Sequence, residues 1–165
     1  IGLSRCIYIL NRAQMGGVLG PFEATQLLRG MRTLFLRVRQ SSQSALQIAQ
    51  ALASHNAISE VLYPGLPDFP GHEIAAKQMT DGFGGMLSIR LKNGEAAAIA
   101  TAANVQLWHR ATSLGGVESL LEHRGSIEGA GSPVPLDLLR LSTGIEDPQD
   151  LISDLNDALN RASDI

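Results

Sequence analysis

The chain has 165 residues, 44% of them hydrophobic and 18% charged, with a net charge of −3. That is enough sequence for one domain with a real core, and the mild acidity gives no electrostatic case for nucleic acid or for an anionic membrane. The single cysteine, Cys6, excludes an internal disulfide and a cysteine-rich metal site. Of the thirteen cationic side chains only Lys77 and Lys92 are lysines, a bias that genomic base composition explains better than a dedicated anion surface. There is no run of about 20 apolar residues to span a membrane and no signal peptide is visible, so a cytoplasmic setting is the default.

The chain opens without methionine inside an amphipathic pattern, Ile1, Leu3, Ile7, Ile9 and Leu10, and is expected to be a piece of a longer polypeptide. Gly16, Gly17 and Gly20 break this stretch. Gly20-Pro21-Phe22-Glu23 reads as a helix start, with proline at the first helical position and an acid in the first turn. Helical spacing then predicts a span of about 30 residues to Leu52, with an interruption allowed at Gly30. Ile58 to Tyr63 is a short strand stopped by Pro64-Gly65. His72 to Met79 is a short helix and Met86 to Leu91 a buried strand. Glu95 to Asn104 is an alanine-rich helix. Val105, Leu107 and Trp108 suggest another strand, and Gly115-Gly116 either a tight turn into a short helix, Val117 to Leu121, or a close backbone approach to a ligand. Ser126 to Pro135 is loop, and Leu138 to Thr143 the last strand. Asp147-Pro148-Gln149-Asp150 caps a final helix whose apolar face carries Leu151, Ile152, Leu155, Ala158 and Leu159. The fold class is α+β, a small sheet with helices packed on one face.

The four histidines have no metal-ligand spacing, so no metal is expected. A hydrolase built on Ser113 and His109 lacks the G-x-S-x-G signature. Arg140 is the sharpest candidate. It stands between leucines in Leu138-Leu139-Arg140-Leu141, and strand alternation places it on one face with Leu138 and Ser142. A guanidinium there needs an anion. That anion is either a structural acid, such as Glu118, Glu122 or Glu146, or a substrate carboxylate held in a bidentate grip.

SLGGVESL (Ser113 to Leu120) followed by LLRLSTGIEDPQDLISDLNDAL (Leu138 to Leu159) resembles the end of the Cys/Met-metabolism enzymes that depend on pyridoxal phosphate, the trans-sulfuration family. GPFEATQLLRGMRTLFLRVRQ (Gly20 to Gln40), YPGLPDFPGHEIAAKQM (Tyr63 to Met79) and GFGGMLSIRL (Gly82 to Leu91) are similar to the same family in the same order.

The resemblance implies the small C-terminal domain of an aminotransferase-like fold, with a mostly antiparallel sheet. Residues 1–55 would be a helical linker from a cofactor-binding domain, and residues 56–165 the C-terminal α+β domain. The cofactor would be pyridoxal phosphate, bound to a lysine outside this chain, since neither Lys77 nor Lys92 has the family's cofactor-lysine context. No catalytic residue and no certain cofactor-binding residue is then expected here. Arg140 matches the arginine that binds the substrate α-carboxylate. Ser113 matches the serine that helps hold it, with Leu114 beside it in the same turn. Thr112 matches a position facing the substrate side chain. The implied chemistry is β- or γ-elimination or replacement on a small sulfur amino acid such as cystathionine, or on O-acyl-homoserine. The implied assembly is a homotetramer, a dimer of dimers, with no nucleic-acid or membrane partner. Thr112 departs from the acid or tyrosine expected there, and HRGSIEGAGSPVP (His123 to Pro135) departs from the proline and Thr-His string of better-known members. A freestanding, non-catalytic binding or assembly domain of the same fold is the alternative.

Overall fold

The structure is a computed structural model that describes residues 2–129 and 131–163. Those up to Phe35 and those from Leu36 onward form two separate compact units. The first carries helix α1 (Leu3–Ile9), a π-helical turn (Leu10–Gln14) and α2 (Pro21–Met31). Pro21 opens α2 where its fixed φ suits the first helical position, with Glu23 in the first turn. Neither α1 nor α2 buries a side chain. The interruption allowed near Gly30 is present, since the next helix, α3, runs Leu34–Leu52.

The second unit is a five-stranded sheet with helices on one face. Its strands are β1 (Ile58–Leu62), β2 (Met86–Leu91), β3 (His109–Arg110), β4 (Leu120–His123) and β5 (Leu138–Ser142). Their order across the sheet is β1-β2-β5-β4-β3. Every pairing is antiparallel except β3 with β4. Helices α4 (His72–Gln78), α5 (Gly94–Asn104), α6 (Arg124–Glu128) and α7 (Pro148–Ser163) complete the unit. Leu87, Ile89, Leu121, Leu139 and Leu141 point from the covered face into a core shared with Ile48 and Leu52 of α3 and with Leu151, Leu155 and Leu159 of α7. Asp147 starts α7 as its carboxylate accepts the amide of Gln149 at 2.8 Å. No helix among the described residues is long and apolar enough to cross a membrane.

Three local expectations need correction. No strand forms over Val105 to Trp108. The buried Asp154 carboxylate of α7 accepts the amides of Gln106, Leu107 and Trp108 instead, at 2.8 to 3.1 Å. Those donors are unavailable to a ladder, so the edge strand waits until His109. Val117 to Leu121 is not helical. Glu146 accepts the Ser119 amide at 2.7 Å and its hydroxyl at 2.8 Å, and the chain then runs straight into β4. The expected loop from Ser126 is in its first part the short helix α6, on which the buried His123 ring accepts the Ser126 amide.

Candidate functional site

Alternation along β5 assigns Leu139 and Leu141 to the core and Arg140 to the opposite face. On that face Arg140 stands directly across from Ser88 of β2 and Glu122 of β4. With Leu62, Met86 and Ser88 it lines a shallow hollow. Its side chain keeps 21% of its surface exposed, whereas that of Glu122 keeps 4%.

Glu122 is the hub of the charges here. One carboxylate oxygen lies 2.7 Å from Nη2 of Arg140 and 2.7 Å from Nη1 of Arg124. The other accepts the hydroxyl of Thr112. Arg124 continues to Glu128, which also accepts the Ser132 hydroxyl. Burial alone would disfavour the carboxylate of Glu122. The hydrogen bonds from Thr112 and Arg124 and the charges of Arg140 and Arg124 outweigh it and hold its pKa below the ordinary value. Of the three acids considered as structural partners of Arg140, Glu122 is therefore the one in contact, and Glu146 is committed to Ser119.

The turn above Arg140 is hung from the same strand. Nη2 of Arg140 donates to the Ser113 carbonyl at 3.1 Å. The Ser113 hydroxyl oxygen accepts the amides of Gly115 and Gly116 at 3.3 Å each. Gly115 has φ +113, a conformation that favours glycine. The other end of the turn lies against Gly144. A β-carbon at Gly144 would stand 2.2 Å from the Val117 carbonyl oxygen, so only glycine allows this approach. Leu114 is 85% exposed at the tip.

The sequence-derived candidates Arg140, Ser113, Thr112 and Leu114 thus lie on one open sheet face and its overhanging turn. Thr112 and Ser113 reach Arg140 by different routes, Thr112 through Glu122 and Ser113 through its backbone. Among the described residues no hydrogen bond joins Ser113 to His109, and no group of three metal-ligating side chains gathers. Arg124 was missed. Reading β4 as a strand would have put Glu122 and Arg124 on one face at a spacing of two, with Glu128 one helical turn on.

Chemically, the face is an immobilised guanidinium beside an exposed turn, an arrangement able to receive a small carboxylate. Residues 5–160 match the family model described as Cys/Met metabolism PLP-dependent enzyme, and the chain belongs to that family. It is 51% identical over 149 residues to cystathionine gamma-synthase of Mycobacterium tuberculosis, covering 87% of this chain and 38% of that protein. It is 41% identical over 159 residues to cystathionine gamma-lyase of Saccharomyces cerevisiae, covering 90% and 40%. Among solved structures, metB from Corynebacterium glutamicum superposes with a TM-score of 0.85 at 45% identity, covering 93% of this chain and 41% of that one. The chain spans about two fifths of the length of these relatives, and the expected α+β fold agrees with the solved structure.

Proposed function

We propose that this chain is the C-terminal part of a pyridoxal-phosphate-dependent trans-sulfuration enzyme, a cytoplasmic homotetramer acting on cystathionine, O-acyl-homoserine or a related amino acid. Residues 1–55 serve as its helical linker and residues 56–165 as its substrate-carboxylate domain. The relatives named above support the reaction class. The observation that carries the site is Arg140, a cation fixed on the open face of an otherwise leucine-lined strand.

When bound, the cofactor supplies electron withdrawal from the substrate's α-carbon. The residues present suit the substrate end of that chemistry and not the cofactor's attachment, because Lys77 in α4 and Lys92 in the turn after β2 are both exposed and neither lines the hollow at Arg140. Arg140 binds the α-carboxylate through Nε and Nη1, since Nη2 is given to Ser113 and Glu122, and the Ser113–Gly116 turn closes over it. Leu114 is the apolar rim and Thr112 borders the side-chain end. Orientation is what this domain contributes: a carboxylate fixed at two points sets which bond at the α-carbon can break.

A full-length protein carrying this chain, loaded with pyridoxal phosphate, is to be assayed with cystathionine, methionine and O-acyl-homoserine. Turnover of at least one of them is expected, with no covalent cofactor band on the isolated 165-residue chain. Absence of all three activities would defeat the reading.

A further inference from the structure

We propose that Glu122 is the positioning residue of Arg140, held in turn by Thr112 and Arg124, so that the carboxylate clamp of the proposed function is aimed by a buried anion behind it. The inference rests on that reading of Arg140 and adds how the clamp is built.

An arginine side chain has four rotatable bonds and loses much entropy when one geometry is imposed. Arg140 emerges from a strand with Ser88 on one side, whose short side chain cannot hold a guanidinium, and Glu122 on the other. Its described partners are the Ser113 carbonyl and Glu122, both at Nη2. A neutral carbonyl in an exposed turn is a weak constraint, and a buried carboxylate 2.7 Å away is a strong one. Glu122 is itself immobile. One oxygen is shared by two arginines and the other is filled by the Thr112 hydroxyl. A carboxylate so saturated is no proton acceptor for substrate, and its role is orientation. Arg124 also keeps Glu122 from neutralising Arg140 outright, because it adds a second cation to the same carboxylate.

This assigns Thr112 a part that its position facing the substrate did not suggest. An acidic side chain at residue 112 would meet the Glu122 carboxylate with like charge, whereas a hydroxyl donates to it. Thr112 and Glu122 are therefore matched to each other in this chain.

Two measurements on Glu122→Gln test the proposal. In the full-length enzyme without substrate, the rate at which phenylglyoxal modifies Arg140, read by mass spectrometry, is expected to rise at least fivefold as the guanidinium is released. In the full-length holoenzyme, kcat/KM is expected to fall at least tenfold, with kcat falling more than KM rises. Thr112→Val is expected to move both quantities the same way by a smaller factor, and it is the variant to use if Glu122→Gln does not fold. In the double variant the two effects are expected to be less than additive, as for residues acting through one contact. Labelling and kcat/KM both within twofold of the parent would overturn the role of Glu122. Normal turnover by Arg140→Ala would instead remove Arg140 from the site, which overturns the underlying reading and not the contact between the two side chains.

Discussion

The two faces of β5 do opposite things with adjacent residues. Leu139 and Leu141 are fully buried against α5, in the core to which α3 and α7 also contribute, and exclude water. Arg140 between them faces away from that core, beside a carboxylate that is buried although it is charged. On the covered face stability comes from area and fit, which are local and tolerant of conservative exchange. On the open face it comes from a chain of partners, Thr112, Glu122, Arg140, Arg124 and Glu128, where removing the shared member, Glu122, takes the side-chain partner from both Thr112 and Arg140. One strand can therefore carry both a core face and the proposed site, because the two demands fall on opposite sides of the pleat.

Substitutions can separate the two faces. Leu141→Ala should have the largest effect on folding, about 2–5 kcal/mol by denaturant unfolding, with whatever folded protein remains keeping its substrate affinity. Gly144→Ala should cost roughly 1–3 kcal/mol or more, because the clash is with backbone that cannot rotate away. It should also loosen the Ser113–Gly116 turn, so hydrogen exchange at Gly115 and Gly116 is expected to quicken.

Acid should act through the open face. The folded pKa of Glu122 lies below its unfolded one, so its contribution is present above the ordinary carboxylate value and is lost as pH falls through the lowered folded value. Glu122→Gln, at a cost of about 1.5–3 kcal/mol near neutral pH, should flatten that acid dependence when unfolding midpoints are compared across pH. An unchanged slope would remove Glu122 as its source. Leu114→Ala should be the mildest, within about 0.5 kcal/mol of the parent, so any change in KM reports contact with substrate.

Much of this was legible in the sequence where a single periodicity governs. The Pro21 helix start, the α5 and α7 spans and the alternation of β5 all came from spacing. Arg140 stood out for the same reason, as a cation in a strand that otherwise reads as core. The failures share a cause. Val105 to Trp108 looks like a strand because Val105, Leu107 and Trp108 are apolar, but Asp154, some fifty residues on, takes the amides of Gln106, Leu107 and Trp108. Val117 to Leu121 looks helical because its extended shape depends on Glu146 and on the missing side chain of Gly144. Side-chain capture of backbone over long sequence separations leaves no local pattern. Glu122 could be named as one of three acids, but choosing among them needed the register of β4 against β5.

The most direct test of the division between faces is a ratio. In the full-length holoenzyme, kcat/KM is measured for an amino-acid substrate and for its carboxamide, in the parent and in Arg140→Ala. The account predicts that the parent prefers the carboxylate by on the order of a hundredfold or more, and that Arg140→Ala erases the preference chiefly by losing the carboxylate substrate while the unfolding midpoint moves little. An Arg140→Ala enzyme that keeps the parent's preference would contradict it.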